Sequence, residues 1–363
     1  LHTADWQIGM RARHAGEGAG TVREQRLASA AALVEIARQH QVDAVLLAGD
    51  VFEDNAVPRA DVQRVVDILT RFSVPVFVLP GNHDPLVAGS VWEHPGWDAP
   101  NVHVLREARA FHVRDGVRLY PCPAFARTSA ADPTEWIARA GGDGLRVGIA
   151  HGTVAGAEVD EPCYPIARDA ASRAGLAYLA LGHWHSTASF DEELCGARMA
   201  YCGTHETTKF GERDSGNVLI VDVKDSRAPR IERIHTGTLI WKRIEAEIRS
   251  SLDVEAVLAE VCAFPTTELT LLELRLSGLV RADQMREIGR LKEIVAARFP
   301  LLGRIDDTRL RPEPGDDRWV ERLSPGFLRD VAATLRADTG DGAGARALMD
   351  FYLLCAEAGE VAA

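Results

Sequence analysis

Cysteine is sparse and unpatterned in this 363-residue chain: Cys122, Cys163, Cys195, Cys202, Cys262 and Cys355, with no Cys-x-x-Cys pair among them. That excludes a disulfide frame and a thiolate zinc site, and it points to reduced thiols in a cytoplasmic setting. No apolar run is long enough to span a membrane, so no membrane role is expected. Internal repeats and low-complexity segments are also lacking. Positive charge is in deficit: 41 Lys and Arg stand against 53 Asp and Glu, a net charge of −12. Such a chain lacks the basic footprint of simple electrostatic nucleic-acid capture. Bound metal ions, where a chain holds them, add positive charge locally, so net charge alone does not exclude binding of an anionic substrate. The sequence opens on a strand-like run at Leu1 without a Met. A few leading residues are therefore expected to be missing, and the absence of a targeting segment only suggests the cytoplasm.

The remaining composition, 46% hydrophobic and 26% charged, is that of a soluble globular protein. The length calls for one large domain with smaller ones attached. Five apolar runs end in polar residues suited to metal binding. They are LHTAD closing on Asp5, DAVLLAGD on Asp50, VPVFVLPGNHD on Asn82 and His83, RVGIAH on His151, and AYLALGHWH on His183 and His185. Short runs of Val, Leu, Ile and Ala bounded by Gly or Pro read as buried strands. Ligands in α/β sheets gather at the carboxyl ends of strands. Such a rim would collect carboxylate, carbonyl and imidazole donors, a set suited to Mn, Fe or Zn and to two ions if one carboxylate bridges.

Each position has a reason. Asp50 at a strand tip can bridge two ions. Asn82 offers a neutral oxygen. His83, next to Asn82, is turned away from ligation by the chain direction and is free to donate a proton to a leaving oxygen. Asp84 is a candidate to orient His83. His183 and His185, two apart, can reach two neighbouring ions. Singly, each of these residues is more often an ordinary turn or surface residue; the five motifs in order are what carry the dinuclear reading.

Residues 22–40 and 61–72 read as amphipathic helices between the early strands. After His185 the pattern turns to short strands, ARMAYCG, NVLIVDV and RIERIHTG, which imply a second, more antiparallel sheet. The fold class expected is α/β: two facing sheets flanked by helices over residues 1–238, a βαβαβ cap over 239–310, and a linker with a helical hairpin over 311–363. In the tail, Ser324-Pro325 reads as a helix start. Phe327, Leu328, Val331 and Leu335 form one apolar face, and after a loop at 338–344 Leu348, Phe351, Leu354 and Cys355 form another. Pattern alone leaves open whether this hairpin packs on its own chain or on another protein.

The order D-x-Q, GDxxE, GNHD, HG and GHxH over residues 1–209 resembles the calcineurin-like metallophosphoesterases. The resemblance implies that Asp5, Asp50 and His185 hold one metal, that Asp50, Asn82, His151 and His183 hold the other, and that His83 is the general acid. In that family, water activated between two ions attacks phosphorus in line. One departure stands out: the first motif is usually D-x-H, and here Gln7 offers a neutral oxygen in place of imidazole. Gln7 is either a weak ligand, making the site weaker or more Mn-selective, or a support behind the ligands.

A finer resemblance is to SbcD-type (Mre-like) DNA repair nucleases, through HTADWQIG, GDVFEDNAVP and the segment YCGTHETTKFGE at 201–212, where Cys202 and His205 depart from that group's pattern. It implies a Mn-dependent DNA exonuclease, with endonuclease action held open, using two divalent ions, foremost Mn2+ with Mg2+, Fe2+ or Zn2+ as alternatives. It further implies a homodimer in a DNA repair and recombination complex, and a hairpin that docks on the coiled coil of an SbcC-like ABC ATPase. Arg11, Arg13, Arg23 and Arg26 are candidate contacts to DNA phosphates, set against the plainer reading of solvated charge. Phe72, Trp92 and Trp97 either line a dimer interface or fill the core. Two rival functions are a small-substrate phosphatase or cyclic-nucleotide phosphodiesterase, and a non-catalytic scaffold of a DNA-end-binding complex.

Overall fold

The computed structural model describes residues 1–141, 143–156, 163–190, 197–224, 228–313, 317–337 and 343–360. Two compact units, Leu1–Ile240 and Trp241–Ala363, divide the chain.

The first unit is built on two six-stranded sheets. One has the order β12-β11-β1-β2-β3-β4, from β1 (His2–Thr3), β2 (Val45–Ala48), β3 (Val76–Leu79), β4 (Val102–Val104), β11 (Asn217–Asp222) and β12 (Arg230–His235). The other has the order β5-β6-β7-β8-β10-β9, from β5 (Phe111–Arg114), β6 (Val117–Cys122), β7 (Leu145–His151), β8 (Tyr178–Gly182), β9 (Ala188–Ser189) and β10 (Met199–Tyr201). Strands β1 to β4 run parallel, as do β6, β7, β8 and β10, and antiparallel strands close the edges.

The period-two alternation of strands sets which residue faces where. Val45 and Leu47 of β2 and Val76 and Val78 of β3 face one core with helices α1 (Ala19–Gln39) and α2 (Arg59–Leu69). Ala48 of β2, with Phe77 and Leu79 of β3, turns instead into the core between the sheets, where it meets Leu119, Ile149 and Ala180 of the second sheet. Helices α3 (Glu135–Arg139) and α4 (Ala170–Arg173) cover the outer face of that sheet around Ile137, Ala170 and Leu179. Both faces of the central strands are thus buried, and that is why their sequences are nearly continuous apolar runs. This is the two-sheet α/β sandwich flanked by helices that the sequence predicts.

The strands after His185 require a correction. They form no second sheet of their own. β10 extends the second sheet beside β8, while β11 and β12 return to the first sheet beside β1. The aromatic trio also resolves: Phe72, Trp92 and Trp97 are buried, and the two indoles pack together and against Phe52. They fill the core and are not available as an interface.

In the second unit, a three-stranded sheet of order β13-β14-β15, from β13 (Ile240–Glu247), β14 (Thr270–Val280) and β15 (Leu302–Pro312), packs on α5 (Ser251–Cys262) and α6 (Ala282–Arg298). Helix α7 (Trp319–Arg322) precedes the hairpin of α8 (Phe327–Ala337) and α9 (Ala343–Glu357). The expected linker at 311–315 begins inside β15, and its residues 314 and 315 lie outside the described residues, as do loop residues 338–342 and Cys195. The expected apolar face of α9 is also imperfect: Leu348 and Cys355 are buried, but Leu354 is 61% exposed. Among the described residues, no helix is long and apolar enough to cross a membrane.

Candidate metal centre

The carboxyl ends of β1, β2 and β3 in one sheet and β7 and β8 in the other meet at a single rim, where the sheets pinch together. At Gly182 an added Cβ would lie 1.8 Å from the Ala48 carbonyl oxygen, and at Gly81 one would lie 2.2 Å from both the amide and Oδ1 of Asp50. Only glycine permits so close an approach. Three of the predicted ligands leave their strands in the left-handed backbone region: Asp5 at φ 53°, Asp50 at φ 49° and His183 at φ 108°. Gln7, at φ 43°, joins them.

Asp50, His151 and His183 each bring one ligand atom to a cluster in which all these atoms lie within 4.8 Å of one another. Opposed donors at about 2.1 Å from one divalent ion are about 4.2 Å apart. Asn82 completes the group, with its Oδ1 2.9 Å from His151 Nε2 and 3.1 Å from His183 Nδ1. The His151 ring is oriented by its other nitrogen: Nδ1 lies 2.8 Å from the Ala48 carbonyl, so Nδ1 carries the proton. Nε2 then faces Asn82 Oδ1 and, at 3.3 Å, Asp50 Oδ2. Three electron-rich atoms facing one another in a buried spot need a proton or a cation between them. The residues therefore fit a divalent ion on the chemistry of the donor set itself.

The electrostatics agree. Burial lowers the His151 pKa, but the Asp50 charge and hydrogen bond outweigh it and hold the imidazole up at about 9. Burial and the neighbouring His151 push His183 down to about 4. Burial raises Asp50, yet His151 and His83 pull it below the ordinary carboxylate range.

Asp5 is fully buried, and its carboxylate accepts the His183 backbone N–H at 3.0 and 3.1 Å. Burial raises its pKa, against the attraction of His151 and His185. His185 Nδ1 donates to Glu212 Oε1 at 2.7 Å, which leaves Nε2 as the ring's free ligand atom. Thr208 in turn holds Glu212 by its hydroxyl and, at 2.7 Å, by its N–H. Glu212 lies in the Phe-Gly-Glu segment, and its role as partner of a histidine is what the sequence reading missed. Gln7 sits on the same rim, its N–H donating to the Asp50 carbonyl at 3.0 Å.

His83 lies beside the cluster and outside it. Its N–H donates to Asp50 Oδ1 at 2.9 Å, its Nδ1 donates to the Glu53 carbonyl at 2.9 Å, and its Nε2 lies 4.0 Å from Asp50 Oδ2. The ring is partly open to solvent, as a proton donor to a substrate must be. Asp84 does not orient it, which corrects the sequence reading. The Asp84 carboxylate is fully buried and accepts the backbone N–H of Phe52 at 2.9 Å and of Gly81 at 2.7 Å. Burial and the nearby Asp50 push its pKa up to about 7. It staples the Asp50 loop to the Asn82 loop, and the Glu53 carbonyl takes the orienting role.

The arginines divide. Arg11, Arg13 and Arg23 are exposed, whereas Arg26 is buried at 1% exposure. Its guanidinium donates to the carbonyls of Asp5, Trp6 and Glu206 and to Thr204 Oγ1. Arg26 braces the loop that carries Asp5 and cannot touch DNA phosphate. Two larger clefts of the first unit, about 460 and 920 Å3, are lined by residues such as Ala44, Val117, Leu145 and Ala177 near the opposite strand ends, and by none of the candidate ligands.

The chain is 26% identical over 268 residues to an uncharacterized metallophosphoesterase of Bacillus subtilis, YhaO, covering 71% of this chain and 62% of that protein. It is 37% identical over 87 residues to the SbcD component of the nuclease SbcCD of Escherichia coli K12, covering 23% of this chain and 20% of that one. It therefore spans less than two thirds of the length of these relatives. A solved structure, TT1561 of Thermus thermophilus, covers 58% of this chain and 93% of its own at 13% identity and a TM-score of 0.38. Residues 1–187 match the model of the calcineurin-like phosphoesterase family. With just over half its length so matched, the chain belongs to that family.

Proposed function

We propose that the chain is a Mn-dependent DNA nuclease of the SbcD type, hydrolysing phosphodiesters as an exonuclease, and that it works with an SbcC-like ABC ATPase as a homodimer in a cytoplasmic DNA repair complex. The observation that carries the chemistry is the convergence of Asp50, Asn82, His151 and His183 with His83 alongside. Two divalent ions, when bound, would lower the pKa of an attacking water and neutralise charge at the phosphate. Asp50 would be the carboxylate shared by the two ions. Asn82, His151 and His183 would hold one ion and Asp5 and His185 the other, with Gln7 on the same rim. His83 Nε2 gives a proton to the leaving oxygen.

The choice of DNA rests on the partial likeness to the SbcD component of the nuclease SbcCD. The choice of an ATPase partner is supported by Phe327 and Leu354, 78% and 61% exposed on the terminal hairpin. The test is incubation of the purified chain with Mn2+ and end-labelled linear DNA, beside its His83→Ala variant. Cleavage by the unaltered chain alone supports the reading. Hydrolysis of a small diester with DNA left intact, with and without the ATPase, overturns it in favour of a small-substrate phosphatase or phosphodiesterase.

A further inference from the structure

Phe125 lies three residues beyond the carboxyl end of β6, the strand that pairs with β7, which carries His151 at its tip. The residue is 53% exposed. A singly exposed phenylalanine carries no meaning by itself. The backbone around this one is clamped on two sides. The Ala124 N–H donates to the Pro80 carbonyl at 3.1 Å, and the Ala124 carbonyl accepts the Leu86 N–H at 2.9 Å, which ties the segment to both ends of the loop bearing Asn82 and His83. On the other side, the Ala126 N–H and carbonyl both bond the Tyr164 hydroxyl, at 3.1 and 2.8 Å. Tyr164 belongs to the segment that folds back over Gly152, directly after His151: a Cβ at Gly152 would lie 2.1 Å from the Tyr164 carbonyl oxygen. A half-exposed aromatic ring is thus carried on a fixed backbone between the His83 loop and the His151 loop.

Two neighbours extend this edge. Val87, on the His83 loop and next to the Leu86 that bonds Ala124, is 43% exposed. Among the described residues of the first unit, Val87 and Phe125 are two of three exposed large hydrophobic side chains, the third being Ile240 at the unit's end. Arg127, two residues beyond Phe125, is exposed and places a cation on the same loop. An aromatic face beside a cation is the arrangement that holds a nucleobase by stacking and its phosphate by charge, with tolerance for any base.

We infer that Phe125, with Val87 beside it and Arg127 behind it, forms a stacking platform that grips a nucleobase next to the scissile phosphate and selects base-bearing phosphodiesters over plain ones. The inference rests on the nuclease reading and adds to it the feature of the substrate that is recognised. The test uses the full chain and two fluorescent single-stranded oligonucleotides of equal length, one of thymidines and one of abasic residues, with affinity measured in EDTA and cleavage in Mn2+. Stacking on an aromatic side chain predicts tighter binding of the thymidine strand by about 5- to 100-fold. Phe125→Ala should bring that ratio close to one, and Phe125→Trp should restore it. Arg127→Ala should weaken both strands alike and flatten the salt dependence. Equal affinity of the unaltered chain for the two strands, or a ratio that survives Phe125→Ala, overturns the platform even if DNA is cleaved. A base-dependent ratio lost in Phe125→Ala, without cleavage in Mn2+ either alone or with the ATPase, upholds the platform and overturns the nuclease reading instead.

Discussion

His185 and Glu212 are joined by a hydrogen bond of 2.7 Å, from Nδ1 to Oε1, and Glu212 is nearly buried beneath it. Burial acts to lower the His185 pKa, but this partner raises it, so the ring is more basic than an isolated buried imidazole. A carboxylate behind a ligating histidine fixes the tautomer and strengthens the donor. Glu212→Gln should weaken Mn2+ binding by about 10- to 100-fold, the usual cost of losing such a partner. Calorimetry on the purified variant checks this, and unchanged affinity would remove His185 from the ligand set.

His83→Ala should lower kcat on a diester substrate by about 100- to 10,000-fold, the range of a general acid. Because His83 lies outside the cluster of Asp50, His151 and His183, Mn2+ affinity should change far less than the rate. A parallel loss of affinity would place His83 among the ligands.

Gln7→His restores the imidazole usual in this family. If the Gln7 side chain reaches the metal, Mn2+ should bind more tightly to the variant and the preference for Mn2+ over Zn2+ should narrow. Unchanged affinity for both ions, with unchanged stability, means that Gln7 serves the rim through its backbone bond to Asp50.

His205 gives the fold an acid sensitivity. It is fully buried, its Nε2 donates to the Arg26 carbonyl at 2.8 Å, and burial with the nearby Arg26 charge lowers its pKa to about 3. The folded state therefore keeps His205 neutral where the unfolded chain, with a pKa of about 6.5, would protonate it. The contribution is fully present above that unfolded value and is lost as pH falls from there toward about 3, at up to roughly 1.4 kcal/mol per pH unit. His205→Gln should flatten the dependence of urea-unfolding free energy on pH between 6 and 4. An unaltered slope would assign the acid sensitivity to other groups.

Phe327 and Leu354 test the partner. If the hairpin docks on the coiled coil of an ATPase as proposed, replacing both with Glu should abolish that binding, since exposed apolar anchors of an interface are each worth about 2 kcal/mol or more. Their exposure predicts an unchanged melting temperature. A stable variant that still binds would place the contact elsewhere.

The strand tips were legible because two periodicities coincide there. A buried strand needs an unbroken apolar run, and a ligand must follow it, so GD, GNHD and GHxH announce both fold and site. What joins distant segments was not legible. Nothing near Asp84 says that its carboxylate holds the amides of Phe52 and Gly81, and nothing near Arg26 says that it will be buried against Asp5 and Glu206. Likewise β11 and β12 look no different in sequence from β10, yet they join the other sheet, because sheet membership depends on which edge is open and not on local pattern. Glu212 falls between: its motif was visible, its partner was not.

The left-handed backbone at Asp5, Asp50 and His183 has a consequence for anyone engineering this protein. Conformations that only glycine adopts freely are maintained there by the surrounding packing, at roughly 1–3 kcal/mol each. A search for thermostable variants without selection for activity would drift toward glycine at these three positions and return a sturdier, inert protein. Activity must therefore be screened alongside melting temperature from the first round.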